Sequence, residues 1–437
     1  MIKMIRSLYR SIKKKFFGPL PFTVPYPGID IDATSVIQDA INNNREVIIP
    51  LAAGDWTVST QGIGSLLDTE GKEWVSRSSF YLKSNFTLTI NGTISAKKGS
   101  FLGKYDSVLG GNKVNNVILN GTGTIKMQRS EYDGEHRHCC ILRGCTNVKV
   151  SGLTFRDSGG DGLYIGPTEI DLDRDRIPCQ SIAVSDCIMD NNRRQGISVL
   201  SAKDLTIKNC LFTLTKGTAP QAAIDLEPNH PKDQLTNIVV RDCRSISNDG
   251  SGLLIILDYM TEASSPISIL IDDCYVYGSK QPGIRVKMNK GKGPPRGTIE
   301  FRSCKVETIR YAGMHCTWDT SKNIFLKFQY CNFMDCAKLL ILDGQKPFEF
   351  VLTGDGSGPG IFFDECQVFE TLDRKVINVT IENSPVSSSS SSGSGFSAST
   401  IFSTIRGVIW IMAKGFKPSI KQSQPSLPNL RLPHSVQ

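Results

Sequence analysis

Ser181-Ile-Ala-Val-Ser-Asp-Cys187, Asp204-Leu-Thr-Ile-Lys-Asn-Cys210, Asn237-Ile-Val-Val-Arg-Asp-Cys243 and Thr298-Ile-Glu-Phe-Arg-Ser-Cys304 are four copies of one phrase. Each is an alternating apolar strand that ends in a polar residue followed by cysteine. Ile269-Leu-Ile-Asp-Asp-Cys274 and Asn323-Ile-Phe-Leu-Lys-Phe-Gln-Tyr-Cys331 are variants of it. Between these phrases, polar turns lead to a second kind of apolar strand that opens on a small residue: Gly162, Gly196, Ala223, Gly252, Gly283 and Gly313. From Cys187 to Cys331 the six cysteines are separated by 23, 33, 31, 30 and 27 residues. A near-constant period with variable insertions marks a solenoid, in which each repeat buries its apolar face only against its neighbours.

Period-two strands, turns rich in Gly, Asn and Asp, and no helical periodicity inside the block make each repeat a coil of parallel β-helix. A leucine-rich horseshoe would need a regular run of Leu and a steadier length. One cysteine at one place per coil predicts an inward-facing stack of small, reduced apolar side chains. Neither a CxxC pair nor a Cys/His cluster at zinc spacing occurs, so no metal site is read from the cysteines.

The chain divides into four parts. Residues 1–29 are a basic amphipathic segment, with Ile5, Leu8, Ile12 and Phe16 on one stripe, and a Pro-rich linker. Residues 30–383 are the β-helix, 384–400 a Ser/Gly linker with six consecutive serines, and 401–437 a second basic amphipathic tail. Six basic residues in Met1 to Lys15 and five in Ser399 to Gln437, with no acid in either, exceed the whole-chain surplus of +8. The body between them is therefore mildly acidic. That distribution excludes a nucleic-acid binder, whose basic stripe lies on the fold itself. The two tails suit peripheral contact with an anionic membrane surface. No signal peptide is visible at the N-terminus, and the C-terminal apolar run, interrupted by Arg406, is too short for a transmembrane helix.

Ahead of the repeats, Asp32-Ala-Thr-Ser-Val-Ile-Gln-Asp-Ala-Ile41 reads as a short helix capped by Thr or Ser, with Val36, Ile37, Ala40 and Ile41 on its apolar face. Such a helix closes the open end of a β-helix. Val47-Ile-Ile-Pro50 and Gly54-Asp-Trp56 follow. This opening, Asp-x-Thr, Ile-Gln-x-Ala-Ile, Ile-Pro and Gly-x-Trp, resembles that of the pectin-lyase-like proteins. The resemblance covers about Asp30 to Val379. It implies an all-β, single-stranded right-handed parallel β-helix of about nine or ten coils with a short N-terminal capping helix. Arg193 to Val199 with Gly217 to Pro231, and Gly159 to Gly166, resemble a subgroup known only as right-handed β-helix repeat proteins. The polygalacturonase set Asn-Thr-Asp, Gly-Asp-Asp and His-Gly is missing, and Glu227-Pro-Asn-His230 echoes the Asp-Pro-His of alginate epimerases.

Chemistry is expected on the strands that open after the small residues. With Leu163, Ile197, Ile224, Leu253, Ile284 and Met314 inward, the outward row is Tyr164, Ser198, Asp225, Leu254, Arg285 and His315. A second row holds Glu227 and Lys287. Loops before the strands add Asp161, Arg193, Arg194 and Gln195; those after add Asn229, His230, Lys232, Asp258 and Trp318. Polar groups mixed with aromatic faces in a long groove suit a polysaccharide.

Asp225 and Glu227, about 6.6 to 6.8 Å apart at Cα on one face, are the leading catalytic pair, with Asp161 as an alternative partner. Carboxyls about 6.5 to 9.5 Å apart suit inverting glycoside hydrolysis. Equally legible is uronate β-elimination, with carboxylates holding Ca²⁺ and Lys232, Arg285 or Lys287 as base. The alternatives are a uronate C5-epimerase, or a non-catalytic glycan-binding spike that trimerises through its flank. No other cofactor is implied. The polar cluster Glu131 to Cys140, with His136 and His138, reads as a groove wall.

Overall fold

The computed structural model describes residues 20–67, 73–168, 176–288, 295–317, 323–336, 348–353, 361–369, 378–382 and 409–412. The N-terminal amphipathic stripe, the serine linker and Trp318 lie outside them. Strands dominate, with a single ten-residue α-helix and one 3₁₀ turn among the described residues. The strands fall into three sheets of twelve, and successive strands of each sheet pair in parallel. From Phe86 to Thr317, eight successive coils place one strand in each sheet. Ala202–Lys208, Leu211–Thr213 and Ile224–Leu226 form one such coil. Among the described residues, one antiparallel pairing joins Gln61–Leu67 to Glu73–Tyr81 at the edge of the third sheet.

The polar residue before each repeat cysteine has a specific task. Asp186, Asn209, Asp242, Asp273, Ser303, Tyr330 and Glu365 all have φ between 48° and 56°. This left-handed corner turns the chain from the first sheet into the second, and Asn and Asp tolerate it best among side-chain-bearing residues. The cysteine that follows then points inward. Its thiol donates to the carbonyl two residues back, at 3.1 Å from Cys187 to Ser185 and 3.2 Å from Cys243 to Arg241. All thirteen cysteines are free and buried.

Corner amides also bond from coil to coil. Asn116 Nδ2 donates to Asn85 Oδ1 at 2.8 Å, Asn147 to Asn116 at 2.7 Å, and Asn237 to Asp204 at 2.8 Å. Asn85, which opens Asn85-Phe-Thr87, is thus a turn residue, with φ 57°. The small residue that opens each third-sheet strand answers to crowding. A Cβ on Gly196 would lie 2.5 Å from the Ala223 carbonyl of the next coil and 2.5 Å from the Phe212 ring.

Inside, like stacks on like. Phe301, Phe328 and Phe363 occupy matching positions in successive coils, with ring centroids 4.7 and 5.0 Å apart and planes nearly parallel. At the N-terminal end the helix Thr34–Asn43 buries Thr34, Ile37, Ala40 and Ile41, as a cap should. Its capping differs from expectation. The Thr34 N–H bonds to Asp32 Oδ1 at 3.0 Å, and Asp32 Oδ2 accepts from Ser59 Oγ at 2.6 Å. Of the C-terminal amphipathic tail, Ile409–Met412 is a strand beside Cys366–Phe369. No helix among the described residues is long and apolar enough to cross a membrane.

The Phe stack gives a direct test of the packing. Phe328→Ala should cost about 3–5 kcal/mol and lower the thermal midpoint clearly, whereas Phe328→Leu should cost less. A midpoint unchanged in the alanine variant would show that the stack does not support the C-terminal coils.

Candidate functional site

Backbone register places the predicted row as expected. Ile141, Tyr164, Ser198, Asp225, Leu254, Arg285 and His315 are paired neighbours across successive third-sheet strands. The inward row Leu163, Ile197, Ile224, Leu253, Ile284 and Met314 is at most 3% exposed. The outward row differs from an open sheet face. Tyr164, Ser198, Asp225 and Leu254 are buried too, and Asp161 and Asp225 are 0% exposed. Ile141, Tyr164 and Leu200 form a small apolar cluster on this outer side.

One guanidinium organises the charges. Arg194 reaches Glu227 Oε2 at 3.3 Å, Glu135 Oε2 at 3.6 Å and Asp161 Oδ1 at 3.8 Å. Burial weighs against its charge, yet Asp161, Asp225, Glu227 and Glu135 together raise its pKa. Gln195 is the clamp beneath: its Nε2 donates to Asp225 Oδ2 at 2.6 Å while its Oε1 accepts from the Ala222 N–H at 2.6 Å. Both ends of that amide are used, so its orientation is fixed.

Burial, only partly offset by Arg194, pushes the Asp161 carboxyl up to about 7. Burial and then the neighbouring Glu227 charge raise Asp225 well above the usual carboxylate range. Asp161 and Glu227 are held on different nitrogens of Arg194. Asp161 Oδ1 and Oδ2, Ser198 Oγ and Asp225 Oδ1 are buried and complete no hydrogen bond. Such orphaned buried atoms are few in native proteins and call for an explanation.

His138 explains part of the Asp161 environment. Its Nδ1 accepts the Asp161 backbone N–H at 2.9 Å and lies 3.3 Å from Asp161 Oδ2. Burial pushes the His138 pKa well below its ordinary value, so this contact is not an ion pair. An unprotonated ring nitrogen facing a carboxyl oxygen favours the protonated acid. His136, tilted against the Tyr105 ring with centroids 4.4 Å apart, is pushed down to about 3, by burial first and then by Lys104 and Arg194. Glu135 and His138 were not singled out as site residues; the signal was the density of polar residues from Glu131 to Cys140.

The remaining predicted residues separate into other groups. Arg193 turns away from Arg194 to Thr218 Oγ1, 3.2 Å, and Asp133 Oδ1, 3.3 Å. Tyr164 lies under Arg143, whose guanidinium carbon is 4.7 Å from the ring centroid. A Cβ on Gly166 would lie 2.6 Å from that ring, so glycine leaves it room. Asn229, His230 and Lys232 belong to a loop tied by the buried Arg176–Asp233 pair, 2.8 Å, with the Asn229 N–H on Asp233 and the Lys232 N–H on His230 Nδ1. Lys287 is bonded to Asp258. Arg285 and His315 sit two and three coils beyond Asp225, with Leu254 between. The structure thus gathers Asp161, Asp225 and Glu227 around Arg194 and parts them from Arg285 and Lys287.

Comparison with known proteins agrees with this architecture. Two overlapping matches to the model for the right handed beta helix region cover residues 76–226 and 115–330, more than half of the chain. The uncharacterized protein YclG of Bacillus subtilis is 26% identical over 119 residues, 26% of this chain and 20% of YclG. Among solved structures, the tailspike protein of E. coli bacteriophage HK620 is similar in two mutant forms, each in complex with pentasaccharide. A single mutant superposes with a TM-score of 0.59 at 14% identity, and a double mutant with 0.57 at 13%. The match covers 83% of this chain and 65% of the tailspike chain, so just under two thirds of that protein is represented. Coil architecture, register and family model agree: the chain belongs to the family of proteins with a right-handed β-helix region.

Proposed function

We propose that this β-helix acts on a polysaccharide by glycoside hydrolysis at the acidic cluster of the third sheet, with Asp161 as proton donor and Glu227 as base. The observation that carries the reading is the state of the acids. Two buried carboxyls, Asp161 and Asp225, keep oxygens without partners beside a third, Glu227, whose side chain is 22% exposed. Strongly raised carboxyl pKa values in such a cluster are a mark of acid–base sites. Asp161, at about 7, is poised to give up a proton near neutrality. Burial and then the Glu227 charge favour a protonated Asp225 beneath it, and Gln195 fixes that carboxyl's position. Arg194 closes the cluster, and a saccharide that takes over its bonds opens a path to Asp161. The pentasaccharide complexes of the tailspike protein support the glycan part of the reading.

Elimination has less support. Arg194 stands among the carboxylates where Ca²⁺ would have to bind, Lys287 is bonded to Asp258, and Arg285 lies beyond Leu254. A non-catalytic glycan-binding β-helix is the second reading, favoured by the complete burial of Asp161 and Asp225.

Incubation with neutral and uronate polysaccharides, with and without Ca²⁺, separates the readings. Hydrolysis predicts new reducing ends without ultraviolet absorbance, and Asp161→Asn or Glu227→Gln should each lower the rate at least about 100-fold with folding intact. Absorbance that rises with Ca²⁺ would establish elimination instead. Binding without product, surviving both substitutions, would establish the second reading.

A pH series tests Asp161 independently of substrate. Its folded pKa lies above its unfolded one, so between about pH 4 and pH 7 the unfolded chain binds fewer protons and stability falls as pH rises. The slope from one such group is at most about 1.4 kcal/mol per pH unit, and the loss is complete above pH 7. Asp161→Asn should remove this share and melt higher than wild type at pH 8. Parallel pH profiles in the two proteins would refute a protonated Asp161.

A further inference from the structure

Away from the acids, the turns joining the second sheet to the third stack into a column. Arg193, Asp249, Lys280 and Arg310 hold equivalent places in it, each bonding its N–H to the turn of an earlier coil: Ser158 O at 3.2 Å, Thr215 O at 2.9 Å, Asn248 O at 3.2 Å and Ser279 O at 2.9 Å. Gln281 and Tyr311 follow one residue later. With Gln221 from a preceding loop, the last three coils enclose a cavity of about 320 Å³ lined by Gln221, Asp249, Lys280, Gln281, Arg310 and Tyr311. Gly250 allows the loop this close approach: its N–H bonds to Gln221 O at 2.9 Å, and a Cβ there would lie 2.4 Å from that oxygen.

The lining has two cations, one carboxylate, two amides and a phenol ring. Lys280 Nζ meets Asp249 Oδ1 at 2.8 Å, but the Lys280 side chain is 55% exposed. Such surface pairs contribute little, so Lys280 can exchange Asp249 for a ligand anion. Arg310 adds a planar fork that matches a carboxylate or sulfate. Tyr311, 37% exposed, lies 6.2 Å from the His315 ring. Gln221 precedes Asp225 on its own coil and Asp249, Lys280 and Arg310 lie on the next three, so the cavity runs alongside the outward row from Asp225 to His315, a span of about 14 to 15 Å.

We propose that this cavity is a subsite for a glycan sugar carrying an anionic substituent, a carboxylate or a sulfate. Lys280 and Arg310 take the anion, Gln221 and Gln281 the hydroxyls, and the Tyr311 ring a CH face. The subsite rests on the polysaccharide reading above and gives that polysaccharide an acidic repeat. It does not depend on which groups perform the chemistry.

Equilibrium binding to the full chain is the test. The probes are hexuronate oligosaccharides, their carboxyl-reduced counterparts, sulfated neutral oligosaccharides and inorganic sulfate alone. At least one anionic class should bind about tenfold tighter than its uncharged counterpart. Arg310→Gln and Lys280→Gln should each abolish that preference, and Arg310→Lys should keep part of it. These side chains are exposed, so thermal midpoints should stay at the wild-type value. Asp161→Asn should keep the preference, and a retained preference without cleavage of any glycan would defeat the hydrolysis reading alone. Equal affinity for charged and uncharged probes, or a preference untouched by both glutamine variants, would overturn the subsite. So would inorganic sulfate binding as tightly as the sulfated sugars.

Discussion

Each residue of the solenoid lies about 4.8 Å from its counterpart in the next coil, and that spacing decides what every position can hold. Parallel pairing is in register from coil to coil through all three sheets. An inward position must therefore accept the same kind of side chain repeatedly, which gives stacked Phe, stacked Ile and stacked Cys. A corner position must accept the left-handed backbone repeatedly, which selects Asn and Asp. A substitution at any such place is felt by two neighbours as well as by its own coil.

Outward positions escape this demand for likeness, and there the row changes from Tyr164 to Ser198, Asp225, Leu254, Arg285 and His315. Asp161 stands two coils before Asp225 and Glu227, and Arg194 on the coil between gathers them into one buried setting where like charges repel. Arg194 offsets part of that repulsion, and burial with the remaining charge raises the Asp161 and Asp225 pKa values. Gln195 and His138 make the arrangement specific: one donates to Asp225, and the other presents an unprotonated nitrogen to Asp161. The same column of turns that supplies Arg194 to the acids supplies Gln281 and Tyr311 farther along, so an acidic cluster and a cation-lined cavity share one scaffold row.

Much of the fold was legible because a repeat states its geometry many times over. The Asp-Cys and Asn-Cys endings gave the corner and the inward thiol together, and the small residue before each third-sheet strand gave the register of the outward row. The acidic cluster was legible only in part. Asp161, Arg194, Gln195, Asp225 and Glu227 follow from register. Glu135 and His138 reach the same place from a segment outside the strict repeat, where no period assigns a direction. Burial was illegible for a similar reason: whether segments fold over a sheet face depends on loops whose conformations the strand pattern does not encode. The spread of Arg285, Lys287 and Asp258 away from the acids was implicit in the row, since Leu254 already stood between.

The thiol row carries one more consequence. From Cys187 to Cys366, seven repeat cysteines mark seven successive coils, each sealed at 0–3% exposure with its proton on a neighbouring carbonyl. A solenoid that comes apart from one end uncovers these groups one coil at a time, while a solenoid that opens as a unit uncovers them together. The row is thus a built-in ruler: which of these seven thiols an alkylating reagent reaches shows which coils have let go.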